Sequence, residues 1–160
     1  MTEAIQTALK PRVDWLRWAS LGLAAVGAMD SAYLTWIKLA NTQALCTGVG
    51  DCETVNNSVY SEINGIPLAM LGLGMYLAVM LLLALEDRVG WLETYGPQAV
   101  FGLALTGTLY SAYLTYLELL VIHAICPYCV VSAVVVTAIL VLSIRRLRQA
   151  PRDEADLPAE

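Results

Sequence analysis

Cys126-Pro127-Tyr128-Cys129-Val130-Val131-Ser132-Ala133-Val134-Val135-Val136-Thr137-Ala138-Ile139-Leu140-Val141-Leu142-Ser143-Ile144 is a C-x-x-C pair running into an uncharged apolar stretch, which stops at Arg145-Arg146. From Pro127 onward it suffices, at ~1.5 Å per helical residue, for a hydrocarbon core of ~30 Å. It must be helical, because lipid offers no partner to unpaired backbone groups and the run does not alternate like a barrel strand. Three further stretches of this kind precede it, roughly Trp18 to Leu39, Ile66 to Leu85 and Ala99 to Val121. With 58% hydrophobic residues and a mean hydropathy of +0.63, the bilayer is the natural solvent for most of the chain. The expected fold is therefore an all-α integral membrane protein, a bundle of four transmembrane helices. It divides into an N-terminal segment over 1–17, a membrane domain over 18–144 with an external loop over 40–65, and a tail over 145–160. The first span is too long and too poorly flanked for a cleaved signal peptide. The tail, short and charged with Pro151 and Pro158, is expected to hold no further domain.

Orientation follows from the nine basic residues. Lys10, Arg12 and Arg17 precede the first span, Arg88 follows the second, and Arg145, Arg146, Arg148 and Arg152 follow the fourth. Only Lys38 stands at the other end, and the loop 40–65 has no Lys or Arg. Positively charged flanks stay inside, so both termini are expected to be cytoplasmic. The chain is then a multi-pass protein of the cytoplasmic membrane, with all four cysteines on the extracytoplasmic side, where disulfides form and persist. The net charge of -5 comes from acids scattered through loops and tail, and no basic patch supports a nucleic-acid partner.

Compared with itself at an offset of 80, the chain shows an echo. Ser31-Ala32-Tyr33-Leu34-Thr35 recurs as Ser111-Ala112-Tyr113-Leu114-Thr115, and Cys46 maps onto Cys126. Each copy leads through an external loop with a cysteine to a helix opened by proline, Pro67 or Pro127, a residue suited to a first helical turn. Two related hairpins by duplication and a chance match in an Ala-, Leu-, Tyr- and Thr-rich chain are the two accounts. Ala24, Ala28, Gly72, Gly102 and Thr106 are small enough to bring helices together. Trp15, Trp18 and Trp91 read as interfacial anchors at the cytoplasmic boundary.

The chemistry lies in the cysteines. Cys126 at the cap of a helix opened by Pro127, with Cys129 in its first turn, has its thiolate stabilised by unpaired N–H groups and the macrodipole. Cys46-x5-Cys52 supplies a second pair in the external loop, and disulfide exchange needs only a thiolate within reach of a disulfide. Two such pairs at one membrane face make an electron relay. The bland readings are structural disulfides or a four-cysteine zinc site, the latter disfavoured by the wide Cys46–Cys52 spacing, so no metal is expected.

The loop pair Cys46-x5-Cys52, the following Ser58, Gly65-Ile66-Pro67 at the start of span two, and Cys126-Pro127-Tyr128-Cys129 opening the last span together resemble the bacterial vitamin K epoxide reductase family. Asp30-Ser31-Ala32-Tyr33-Leu34-Thr35 resembles that family's first membrane helix. The resemblance implies that Cys129 faces a membrane quinone, menaquinone or ubiquinone. Cys126 would bond Cys129 and Cys52 in turn, and Cys46 would meet a protein substrate. Ser58 would be the family's loop serine, positioning the loop or the quinone site; its plain reading is a cap or turn residue. Many bacterial members carry a fused thioredoxin-like domain. This chain ends at Glu160, so the expected partner is a separate exported thioredoxin-fold thiol protein. Ala133 stands where animal members have a tyrosine near the quinone, which puts epoxide preference and coumarin sensitivity in doubt.

Three more polar groups need a role. Asp30 lies ~14 Å inside the first span at helical rise, where a carboxylate is costly unless partnered or protonated. It is either an interior hydrogen-bonded structural acid or a proton relay to reduced quinone. Lys38 and Glu118 occupy equivalent places in the two copies and would pair at the bundle rim or snorkel separately to water. His123, the sole histidine, precedes Cys126 by three residues and either favours its thiolate or is simply solvated. The expected function is a thiol:quinone oxidoreductase supporting disulfide formation. Its rivals are a non-enzymatic subunit stapled by disulfides and a transporter using Asp30.

Overall fold

The computed structural model describes residues 2–40, 42, 52–56 and 58–155. The long helices are α1 (Thr2–Ala40), α3 (Leu68–Leu85), α4 (Gly90–Leu117) and α5 (Pro127–Ala155). The short helix α2 (Cys52–Asn56), a 3-10 turn Val59–Ser61 and a hairpin of β1 (Glu62–Ile63) and β2 (Ile66–Pro67) lie between α1 and α3. A π turn, Glu118–Ile122, ends α4. Adjacent helices pack in a ring, α1 on α3, α3 on α4, α4 on α5 and α5 on α1, so α1 and α4 face one another across the diagonal.

Among the described residues, three helices are long and apolar enough to cross a membrane: Leu68–Leu85, Tyr95–Ile122 and Pro127–Arg148. The first expected stretch lies in α1, whose C-terminal half spends positions on Asp30, Ser31, Thr35 and Lys38; it is not among the three. The expected boundaries also move. Ile66 and Pro67 are paired in a strand (Ile63 with Ile66, Glu62 with Pro67), so α3 begins at Leu68 and Pro67 only caps it. Asn64 and Gly65 make the two-residue hairpin turn, both left-handed at φ 53° and 79°, a geometry that Asn-Gly adopts at little steric cost. The third helix starts at Gly90, ahead of Ala99, and the fourth continues beyond Ile144 to Ala155. Pro127 does open α5, at the position where a missing N–H costs nothing.

Burial extends the echo between the copies well beyond five residues. At the same offset of 80, Ala24 and Ala104 are both fully buried, and Gly27 and Gly107 both sit where a Cβ would collide. At Gly27 it would strike the Tyr76 ring; at Gly107 it would stand 2.7 Å from Met75 Sδ and 2.9 Å from Val136 Cγ2. Gly72 faces Ser31 Oγ at 3.3 Å from such a Cβ, a close approach as expected. Gly102 has nothing within 4 Å and Thr106 is exposed, so these two do not bring helices together. The core runs from Ala24 and Ala28 through Tyr76, Val79 and Leu83 to Val100, Ala104, Val135, Val136 and Ile139.

Both copies are tied to the α3–α4 turn at the arginine-rich end. Arg17 of α1 bonds Asp87 and the Leu83 carbonyl (2.8 Å). Arg146 of α5 grips both Glu86 carboxylate oxygens, at 2.7 and 3.0 Å. Trp15, Trp18 and Trp91 are two-thirds exposed.

Candidate functional site

Cys126 precedes the first residue of α5, and its carbonyl accepts from Val130 N at 3.1 Å, so it caps the helix. Its side chain is 2% exposed. Cys129 lies one turn in, half-buried, and both are free thiols. The Cys126 thiol is held below its ordinary pKa, chiefly by the hydrogen bond that the Cys129 thiol donates to it, against burial and the nearby Glu118 charge. The pair is therefore asymmetric, the helix-cap sulfur being the one favoured as thiolate.

Cys52, buried at the start of α2, is disulfide-bonded, and α2 packs on the π turn that leads to Cys126. The expected loop cysteine Cys46 lies outside the described residues. Ser58 donates its hydroxyl to the Val55 carbonyl (2.8 Å), while its own carbonyl takes both the Ser61 N–H (3.0 Å) and the Ser61 hydroxyl (2.8 Å). It thus joins α2 to the 3-10 turn as a turn residue, and it also lines the cavity described next.

A cavity of about 420 Å³ opens beside the dithiol. Its walls come from equivalent positions of the two copies, Asp30, Ser31 and Leu34 on α1 and Tyr110, Ser111 and Leu114 on α4. Cys126, Cys129 and Glu118 line it too. Its size and mixed lining, mostly apolar with a few convergent polar groups, are those of a site for a small apolar ligand. Asp30 Oδ2 is buried there with no hydrogen-bond partner among the described residues. Tyr76, another wall residue, donates its hydroxyl to the Ser132 carbonyl (3.0 Å) and lies 2.9 Å from Ser132 Oγ.

His123 does not join this group. Its side chain is exposed, and its left-handed backbone (φ 55°) turns the chain out of the π turn, its N–H bonding the Glu118 carbonyl. Lys38 and Glu118 neither pair nor snorkel alike. Lys38 Nζ reaches Glu62 at 3.1 Å and Ser61 at 3.3 Å in the hairpin. Glu118 is 4% exposed and turned to the cysteines, its Oε2 accepting from Cys126 N at 3.3 Å and its carboxyl standing as a second acceptor for the Cys129 S–H beside the Cys126 sulfur. Glu118 is the site residue that sequence reasoning missed; the available signal was an ionisable residue near the end of an apolar span eight positions before the dithiol. Tyr128, inside the C-x-x-C, packs against Tyr33 with ring centroids 5.2 Å apart and planes tilted by 44°, holding the α5 terminus against α1.

A family model described as vitamin K epoxide reductase family matches residues 18–144. The chain belongs to that family. It is also 34% identical over 127 residues to the Arabidopsis thaliana protein named thiol-disulfide oxidoreductase LTO1, a match covering 75% of this chain and 34% of that protein. The chain therefore spans about a third of the length of this curated relative. The family's name denotes redox chemistry, and the capped dithiol beside an apolar-walled cavity is the place in the structure where such chemistry fits.

Proposed function

We propose that this protein is a membrane thiol:quinone oxidoreductase that oxidises an exported thioredoxin-fold thiol protein and so supports disulfide formation. The observation that carries the reading is the pairing of a free, cavity-lining dithiol, Cys126 and Cys129, with a disulfide at Cys52 on an element packed against it. Among the described residues Cys126 and Cys129 are free and Cys52 is disulfide-bonded, and in this reading its partner is Cys46. Reduced carrier attacks Cys46, leaving Cys52 as thiolate or thiol. With Cys126 and Cys129 joined as a disulfide by an earlier reduction of quinone, the Cys52 thiolate attacks Cys126 and expels Cys129. Cys46, released by the carrier's second thiol, closes back on Cys52, and the Cys126–Cys129 dithiol so regenerated delivers two electrons to the next quinone in the cavity. Direction is set by potential, ~30 mV being worth 1.4 kcal/mol for a two-electron couple. Apolar walls exclude water from the sulfur and the ring, while Asp30, with an unpartnered oxygen on the wall, is placed to donate to a quinone oxygen when protonated.

In this reading α1 is the fourth transmembrane helix, both termini are cytoplasmic, and the cysteine end is extracytoplasmic. Supporting it, Arg17 and Arg146 meet the α3–α4 turn at one end of the bundle, whereas the dithiol, Cys52 and the hairpin lie at the other. The deciding test is anaerobic mixing of purified, fully reduced protein with a menaquinone or ubiquinone analogue, following thiol loss and quinol formation together. Stoichiometric loss of two thiols per quinol is expected. Thiols that persist in the presence of quinone would overturn the assignment and leave the disulfides structural.

A further inference from the structure

We propose that Glu118 is the general base of the dithiol, taking the proton of Cys129 as the Cys126–Cys129 bond forms. The inference deepens the proposed function and rests on these two cysteines being the working pair. Glu118 stands at the first residue of a π turn, a helix distortion that recurs at functional sites because it re-aims a side chain. A regular continuation of α4 has no need of it, and the distortion points the carboxyl at the N-terminus of α5. There it contacts both partners of the coming bond. Oε2 accepts from Cys126 N at 3.3 Å, and the carboxyl is a second acceptor for the Cys129 S–H beside the Cys126 sulfur. It is 4% exposed, so bulk water cannot easily perform the transfer in its place. On the same cavity wall it is also positioned to release the proton to a bound quinone. Cys52 in the neighbouring α2 is disulfide-bonded and does not compete for the proton.

Two S–H bonds break and one S–S bond forms, releasing two electrons and two protons, which convert both quinone carbonyls to hydroxyls. Glu118 carboxylate accepts the Cys129 proton, the Cys129 thiolate supplies the electron pair, and Glu118 returns the proton to a quinone oxygen, restoring the carboxylate. The second proton comes from Cys126 or, where that thiol is already ionised, from water.

The role can be read without quinone. Cys126 of the Cys46→Ala/Cys52→Ala protein is first converted to a mixed disulfide with a coloured aromatic thiol. Cys129 must then attack it, so the released colour reports Cys129 deprotonation alone. Glu118→Gln keeps an acceptor for Cys126 N–H but not the basic oxygen, and should slow release about 100-fold, the usual size of a general-base contribution. Glu118→Ala should be slow as well and recover with added formate. Lys38→Met, at the equivalent position of the other copy, should release colour at the unsubstituted rate. Unchanged release in Glu118→Gln, or a slow Glu118→Ala that formate does not restore, overturns the proposal. Failure of the reduced protein to make quinol, with these colour-release results intact, instead overturns the quinone reading and leaves the base assigned.

Discussion

The two helical copies begin alike and end differently. In both, a threonine hydroxyl bonds the carbonyl four residues back, Thr35 to Ser31 at 2.7 Å and Thr115 to Ser111 at 2.9 Å, and in both a buried alanine and a tightly packed glycine precede the repeat. Then α1 continues to Ala40, while α4 loosens into a π turn at Glu118. The connections explain the divergence. After α1 the chain has the whole loop 40–65 in which to return, and Lys38 remains at the rim, tied to the hairpin. After α4 it must enter α5 at Pro127, and the π turn with the left-handed His123 makes that reversal while turning Glu118 inward. The repeated segments pack alike in the two halves; in the proposed relay their unequal exits give one half the dithiol and the other the loop that feeds it.

The largest test of that division is chemical. Cys129→Ala should reduce quinone reduction to background while leaving thiol exchange at Cys52, whereas Cys46→Ala should block the protein substrate but permit quinone reduction by a small dithiol that reaches Cys126. Parallel rate measurements with the two reductants check this, and equal defects in both variants would erase the difference between the copies.

The arginine anchors should be unequal as well. Arg146 and Glu86 are 6% and 12% exposed, so Arg146→Ala leaves a buried charge unpaired and should cost ~3–5 kcal/mol. Asp87 is 72% exposed, and Asp87→Ala should cost at most ~1 kcal/mol. Denaturant unfolding in detergent measures both, and equal costs would show that the two copies are anchored alike.

Glycines test the shared part. Gly27→Ala and Gly107→Ala each force a methyl into occupied space and should destabilise by ~1–3 kcal/mol. Gly102→Ala meets nothing within 4 Å and should be neutral or stabilising by up to ~1 kcal/mol, since alanine holds a helix better than glycine. Thermal melts of the three variants decide. A tolerant Gly107 beside an intolerant Gly27 would mean that the copies pack differently after all.

The smallest effect is in pH. Because the Cys126 pKa is lowered, its thiolate exists at lower pH than an ordinary thiol near ~8.5, so its alkylation should reach half its maximal rate below that value. Cys129→Ala removes the hydrogen bond chiefly responsible and should move the profile upward toward the ordinary value. Peptide mass spectrometry after brief alkylation across pH reads the shift, and an identical profile in the variant would assign the lowering to the helix terminus alone.

Much of this was legible in residues 1–160 without coordinates. Apolar length predicts helices, Pro127 marks where the last one starts, and C-x-x-C at that start predicts a capped thiolate, because these depend on local backbone chemistry. The Asn64-Gly65 hairpin was equally local but was hidden by reading Ile66 as the start of a span. What sequence could not decide was which of several polar residues meet. Lys38 and Glu118 hold the same place in a repeat and go to different partners, Asp30 keeps an unpaired oxygen on a cavity wall, and His123 shapes a turn with its backbone. Which side chains converge is a matter of helix rotation and of how each connection closes, and it is set by packing between segments distant along the chain. The composition and spacing determined a membrane redox protein with a dithiol; only the tertiary structure put Glu118 beside it.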